Sequence, residues 1–288
     1  PMADLLRMLT CSVHPLPYLA NPADYFAAIR HAPGAVLLDS GRPTADRGRY
    51  DLLSAWPEAE LTLQPDESGR DFLQRLRNSL QQLGNAALPD AYELPFAGGL
   101  IGYLSYDFGR QLEQLPANAR DDLHLPEAQL GLYAWALISD HYAATSQLVF
   151  HPSLETAERQ RLIQLFSQPA PSHNKPFNLK QPMQPDISAS QYQQALKQIH
   201  RYIQAGDCYQ VNYTQRFSGQ CEGDAWSAYG ALRAACPTPF SGFMSLAGGN
   251  AILSLSPERF VRISQNQVET RPIKGTRPRG KDSREDAA

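Results

Sequence analysis

Two short apolar runs, Ala251 to Leu255 and Phe260 to Ile263, alternate with polar residues, and Gln265-Asn266-Gln267 turns the chain before Val268 resumes the pattern. Period two marks a half-buried strand, and a turn this short joins neighbouring strands rather than crossing a sheet. Ser254-Leu-Ser-Pro-Glu-Arg-Phe260 and Thr270-Arg-Pro-Ile-Lys-Gly-Thr276 each present one ionisable residue beside such a strand, Glu258 and Lys274. Pro257 and Pro272 break the ladders there, and Gly275 allows close approach of a ligand or a turn closed to other residues. A carboxylate and an amine on rigid supports are candidates for an acid and a nucleophile. The same pattern also fits a surface hairpin carrying one ordinary ion pair.

The rest of the chain places this pattern in a fold class. Asn21-Pro-Ala-Asp24 starts a helix that runs to Ile29 and stops at Pro33-Gly34. Ala35 to Asp39 and Arg49 to Leu53 read as strands around a polar loop. Phe72, Leu73, Leu76, Leu80 and Leu83 recur at helical spacing, and Gly84 ends that helix. Phe96 to Tyr106 is glycine-rich but lacks the Lys-Ser/Thr ending of a nucleotide loop, so it reads as a buried strand before a short helix at Asp107 to Leu112. Leu130 to Ile138 pairs with Gln147 to Phe150, and Leu154 to Phe166 is a helix. Residues 169–187 are rich in proline and polar side chains and read as a linker. Ser188-Ala-Ser-Gln191 is a capping box for a helix that Gly206 ends. Cys208 to Phe217 alternates as a strand, Asp224 to Ala235 is helical, and Phe240 to Leu246 is a strand. Helices and antiparallel strands without regular β-α-β alternation make an α+β protein.

Composition narrows the function. The 26 basic and 29 acidic residues give a formal charge of −3 with no long block of either sign, which argues against a nucleic-acid or acidic-membrane partner. Cys11, Cys208, Cys221 and Cys236 show neither C-x-x-C spacing nor a disulfide framework, so reduced cytoplasmic thiols are the expectation. No stretch approaches the roughly 20 apolar residues of a membrane span, and Pro1 to Ala20 does not read as a signal peptide.

Ser256-Pro-Glu-Arg-Phe260, Arg271-Pro-Ile-Lys-Gly-Thr276 and Ala205-Gly-Asp-Cys-Tyr-Gln-Val-Asn212 are long, collinear motifs. Together they resemble the chorismate-utilising enzymes, and within that family the aminodeoxychorismate synthase component I group, because anthranilate synthases usually carry alanine where this chain has Lys274. The resemblance runs from about Leu37 to Arg279. It implies a layered α/β/β/α sandwich built on two large antiparallel sheets. Residues 1–168 would be an anthranilate-synthase-like N-terminal region, 169–187 the linker, and 188–288 the first part of the chorismate-binding catalytic region. The family continues for roughly another third beyond Ala288, so the chain alone is expected to be inactive.

The implied reaction replaces the C4 hydroxyl of chorismate by ammonia, giving 4-amino-4-deoxychorismate for p-aminobenzoate and folate synthesis. Lys274 would add covalently at C2 as the hydroxyl leaves, and Glu258 would protonate that hydroxyl. A lysine with a pKa of about 10.4 is neutral at pH 7 only at a cost of about 4.6 kcal/mol, so burial must lower it. A glutamic acid at about 4.3 must be raised, which apolar neighbours such as Leu253, Leu255 and Phe260 would do. Gly275 and Thr276 would contact substrate. Arg259 and Arg271 could pair with substrate carboxylates, but structural pairing is the better reading.

The resemblance further implies an L-tryptophan pocket lined by Ser40, Arg47, Gly48, Arg49 and Tyr50 and closed by Pro239, Phe240 and Ser241. A turn with solvated arginines is the alternative. Magnesium is implied as cofactor, with its ligands in the part of the family chain beyond Ala288. A glutamine amidotransferase subunit is the implied source of ammonia. Anthranilate synthase component I and a non-catalytic tryptophan-binding module remain as alternatives.

Overall fold

The computed structural model describes residues 9–168, 175–273, 280 and 282. The chain gathers into two units, one of Pro1–Ser172 with Leu232–Ala288 and one of His173–Ala231. The sequence boundaries at 168 and 188 fall elsewhere. The strands after residue 232 return to pair with Val36–Asp39 in the first unit, and residues 178–185 of the expected linker are built into the second.

In the first unit, seven strands form one antiparallel sheet. In chain order they are β1 Ser12–Leu16, β2 Val36–Asp39, β3 Tyr50–Ser54, then β7 Trp135–Asp140, β8 Thr145–Phe150, β9 Phe240–Ser245 and β10 Ala251–Ser256. Three others, β4 Ala59–Thr62, β5 Gly99–Leu104 and β6 Ala128–Tyr133, form a second antiparallel sheet in the order β4-β6-β5. The large sheet runs β10-β9-β2-β3-β7-β8-β1.

Register explains why it holds. Leu253, Phe243, Leu37, Leu53, Leu137 and Leu148 are consecutive cross-strand partners, so they form one apolar row on one face. Leu37, Leu53, Leu137 and Leu148 are fully buried, and each such side chain stabilises the fold by about 1.5–3 kcal/mol relative to exposure. On the opposite face Val36, Leu52, Ala136, Ile138 and Val149 pack with Cys11 and with Ile101 and Tyr133 of the second sheet. The helix α1, Gly69–Leu83, is capped by Ser68, whose hydroxyl accepts from the Asp71 N–H. Its Phe72 and Leu76 cover Leu61, Phe108 and Ala128. Helix α2, Thr156–Phe166, buries Leu162 and Phe166.

Several expectations are corrected. The run read as one strand over Leu130 to Ile138 is two: the chain leaves the small sheet at Tyr133, passes Ala134 and enters the large one at Trp135. Both halves are buried, so apolar continuity hid the break. The helix after Asn21 keeps α geometry only over Ala23–Phe26. The strand expected over Cys208 to Phe217 is regular only at its last residue.

The second unit holds helix α3, Ala189–Ala205, with the expected capping box at Ser188 and Gln191 and Gly206 in the left-handed conformation at its end. Asn178–Leu179 pairs with Cys221–Glu222, and Gln184–Pro185 with Phe217–Ser218. Helix α4, Ala225–Ala235, leads back towards β9. Two further strands, β11 Arg262–Ser264 and β12 Gln267–Glu269, form the hairpin foreseen from the turn at 265–267. Helices beside antiparallel sheets, without regular β-α-β alternation, make this an α+β protein.

Candidate functional site

Two residues beyond the apolar row, on the same face of the large sheet, the strands carry a polar row instead. Ser241 pairs with Asp39, Asp51 with Ser139, and Ser139 with Ser146. All five are buried, so each needs a partner. Asp51 Oδ1 accepts from both the N–H and the hydroxyl of Ser40, at 2.7 Å each. His141 Nε2 lies 2.5 Å from Asp51 Oδ2, and its Nδ1 lies 2.8 Å from the Tyr18 hydroxyl. Those partners assign the tautomer, with Nε2–H donating to Asp51 and Nδ1 accepting from Tyr18. The side chains of His141 and Asp51 are each 2% exposed, so their contact is shielded from water.

Asp39 is held by Arg233, from Nε at 2.5 Å and Nη2 at 3.1 Å, and also accepts from the Gly41 N–H at 2.7 Å. Arg233 donates as well to the Arg42 carbonyl. Asp140 receives Arg49, from Nε at 3.1 Å and Nη2 at 2.9 Å. Burial raises the Asp140 pKa, but Arg49 and the Ala143 and Tyr142 N–H groups outweigh it, and the net shift is downward. Asp39, Asp51 and Asp140, at one end of the sheet, are thus all satisfied. The arrangement braces the loop from Gly41 to Gly48; it leaves no free base or nucleophile among these groups.

The residues assigned to a tryptophan pocket meet here in part. Ser40 is buried with its hydroxyl committed to Asp51. Gly48, at φ +101°, lies against it so closely that an added Cβ would come within 2.7 Å of Ser40 Cβ, a position suited to glycine. Arg47 is exposed. Arg49 stacks over Tyr50 at 4.7 Å, and the Tyr50 hydroxyl donates to the Glu93 carbonyl at 3.0 Å. From the other direction, Ser241 is buried against Thr238, and Gly41 abuts the Thr238 backbone. Pro239 is half-buried beside them, and Phe240 lies under Arg259 at 5.3 Å.

Glu258 follows β10 as a half-buried residue whose N–H donates to Ser256 Oγ at 3.2 Å. Among the described residues its carboxylate has no partner. Phe260 is 90% exposed and encloses nothing there, which removes one of the three apolar neighbours the sequence suggested. Arg259 and Arg271 both donate to Glu269, so they act as structural cations. Burial raises the Glu269 pKa, yet these two arginines outweigh it and lower it. Lys274, Gly275 and Thr276 lie outside the described residues, as does any geometry between Lys274 and Glu258. Among the described residues no cluster of His, Cys, Asp or Glu fits a metal ion, and none of their helices is long and apolar enough to cross a membrane.

Sequence reasoning missed Tyr18, Asp51, His141, Asp140 and Arg233. Asp39 and Asp51 did leave a trace, a carboxylate interrupting each apolar strand. Their partners His141 and Arg233 come from far along the chain and left none.

Comparison with known proteins places this architecture. The family of chorismate binding enzymes matches residues 34–288. Aminodeoxychorismate synthase component 1 of Salmonella typhimurium is 38% identical over 98% of this chain and 63% of its own length. The protein of the same name from Escherichia coli is 38% identical over 91% of this chain and 59% of its own. The chain therefore spans about three fifths of the length of these relatives. Among solved structures, anthranilate synthase component I from Streptococcus pneumoniae superposes with a TM-score of 0.62 at 21% identity, covering 78% of this chain and 54% of that one. That likeness shows the fold, and the match over 34–288 shows the lineage: this chain belongs to the chorismate binding enzyme family.

Proposed function

We propose that this chain carries the amination half of aminodeoxychorismate synthesis, with Lys274 as nucleophile and Glu258 as general acid. One observation carries the reading. Lysine stands at position 274 inside Arg271-Pro-Ile-Lys-Gly-Thr276, in a chain that is 38% identical over 98% of its length to aminodeoxychorismate synthase component 1 of Salmonella typhimurium. The amine of Lys274 adds at C2 of chorismate as the C4 hydroxyl departs with a proton from Glu258. Ammonia then attacks C4 and expels the lysine, so no atom is gained beyond the exchange of hydroxyl for amine. Gly275 and Thr276 contact the substrate.

The name "component 1" implies a second component, and a glutamine amidotransferase subunit delivering ammonia fits that role. Magnesium belongs to the proposal as an ion held outside the described residues, which offer it no ligand cluster; no step above is routed through it. The test is product analysis. The chain, supplemented with the part of the Salmonella relative outside the match, is given chorismate, ammonium and magnesium. Aminodeoxychorismate as product, lost in Lys274→Ala, supports the reading. Anthranilate as product, or full activity of Lys274→Ala, overturns it.

A second reading, L-tryptophan held where β2, β3 and β9 end, is favoured by the register that pairs Ser241 with Asp39. It brings Ser40 and Gly48 to the same place as Pro239 and Ser241. Melting with and without tryptophan tests it: a higher Tm supports the site, and an unchanged Tm at millimolar ligand removes it.

A further inference from the structure

The three carboxylates at one end of the large sheet are held in two different ways. Asp39 takes the Arg233 guanidinium and Asp140 that of Arg49, and a guanidinium donates from every nitrogen. Among the described residues Asp51 takes no guanidinium and relies on the imidazole of His141, 2.5 Å away. A neutral imidazole donates from one nitrogen alone, so its hold on Asp51 depends on which nitrogen carries the hydrogen. Tyr18 supplies the other half of that choice. Its hydroxyl lies 2.8 Å from Nδ1 and donates there, which leaves the ring hydrogen on Nε2, facing the carboxylate.

Tyr18 is itself held in place. The carbonyl of the preceding Pro17 accepts from the buried Tyr25 hydroxyl, and the Tyr18 ring meets that of His141 edge-on with centroids 5.8 Å apart. His141 is anchored through its own N–H, which donates to the Arg49 carbonyl at 2.8 Å.

Ser40 stands at the far end of these bonds. Its N–H and its hydroxyl both donate to Asp51 Oδ1 at 2.7 Å, so its oxygen offers a ligand lone pairs alone. Gly48 packs against the Ser40 side chain, and the Gly48 carbonyl accepts from Arg42 Nε at 3.2 Å. The loop from Gly41 to Gly48 is therefore built around the Ser40 position. With the ring hydrogen on Nδ1 instead, an Nε2 lone pair would face the Asp51 carboxylate at 2.5 Å. The carboxylate would turn away, and the Ser40 hydroxyl would lose the acceptor that aims it.

We propose that Tyr18 and His141 are positioning residues for the ligand site at the ends of β2, β3 and β9. Without touching the ligand they fix the tautomer that holds Asp51, and through Asp51 the direction of the Ser40 hydroxyl. The inference rests on the reading of that site as one for L-tryptophan, and it adds two residues 123 positions apart in the chain. Aiming a histidine by the bond on its second ring nitrogen is a general device.

NMR of the imidazole nitrogens and tryptophan titration test it on the 288-residue chain, with the His141 signals identified by their loss in His141→Asn. The wild type is expected to show the Nε2–H tautomer, and Tyr18→Phe a shift towards Nδ1–H. Well below its Tm, Tyr18→Phe should weaken tryptophan binding about threefold or more, and His141→Asn about tenfold or more. A glutamine amide reaches the place of Nε2 and an asparagine amide does not, so His141→Gln should recover most of the affinity. Equal losses in those two variants, which a packing role alone would give, overturn the proposal, as does an Nδ1–H tautomer in the wild type. An unchanged Kd in both Tyr18→Phe and His141→Asn overturns this inference and leaves the tryptophan site standing. A wild type in the Nε2–H form that binds no tryptophan overturns the reading of the site, and the inference with it.

Discussion

The strand β7 and the stretch 208–215 are both apolar-rich extended segments, and they meet opposite fates. Every residue of β7 is buried, between β3 and β8 in the sheet and with layers on both faces. Among the described residues, no strand neighbours 208–215, which stand largely exposed. The hairpin β11–β12 resembles the second case, with the facing pair Ile263 and Val268 exposed at 69% and 68%. Local pattern is adequate for a strand in all three; what differs is whether other chain supplies the ladder and the cover. The region around the large sheet is self-sufficient in this sense, and the two exposed segments are not.

That contrast can be broken by substitution. The largest effect is expected for Arg233→Ala, which leaves the fully buried Asp39 carboxylate without its guanidinium. A loss of about 3–5 kcal/mol in denaturant unfolding is the expected outcome, and a loss under about 1 kcal/mol would show that the brace is dispensable. Leu137→Ala in the apolar row should cost about 2–5 kcal/mol by the same measurement. Arg49→Ala comes next. Because Arg49 is partly exposed its pairing is screened, and a smaller loss than for Leu137→Ala is expected.

The Arg49 pair also sets a pH dependence. The folded pKa of Asp140 lies below its unfolded value of about 3.9, so its contribution is present above that value and fades as pH falls through the lower folded one. Arg49→Ala should flatten this acid limb; an unchanged acid midpoint would contradict the assignment. The smallest effect is expected for Leu196→Gln on the open face of α3, within about 0.5 kcal/mol. A cost above about 2 kcal/mol would mean that the face is already covered.

Much of this was legible in the sequence. Alternation gave β2, β3, β9 and β10, the Ser188 capping box and Gly206 gave α3, and the 265–267 turn gave β11–β12. Alternation alone does not reveal whether a ladder partner exists, which is why Cys208 to Phe217 was read as a regular strand. An uninterrupted apolar run does not reveal a passage between stacked sheets, which is why the step at Ala134 was missed. For the candidate site, motifs pointed to Glu258 and Lys274. Periodicity could not show that Phe260 would face solvent or that Arg233 and His141 would reach back to Asp39 and Asp51.

The chemical claim rests on one amine. Intact-mass and peptide mass spectrometry of the chain, supplemented with the unmatched part of the Salmonella relative and given chorismate with magnesium but no ammonia, tests it most directly. The account predicts a chorismate-derived adduct that maps to Lys274, disappears in Lys274→Ala and is discharged when ammonium is added. Turnover to aminodeoxychorismate with no adduct on Lys274 at any pH would contradict it.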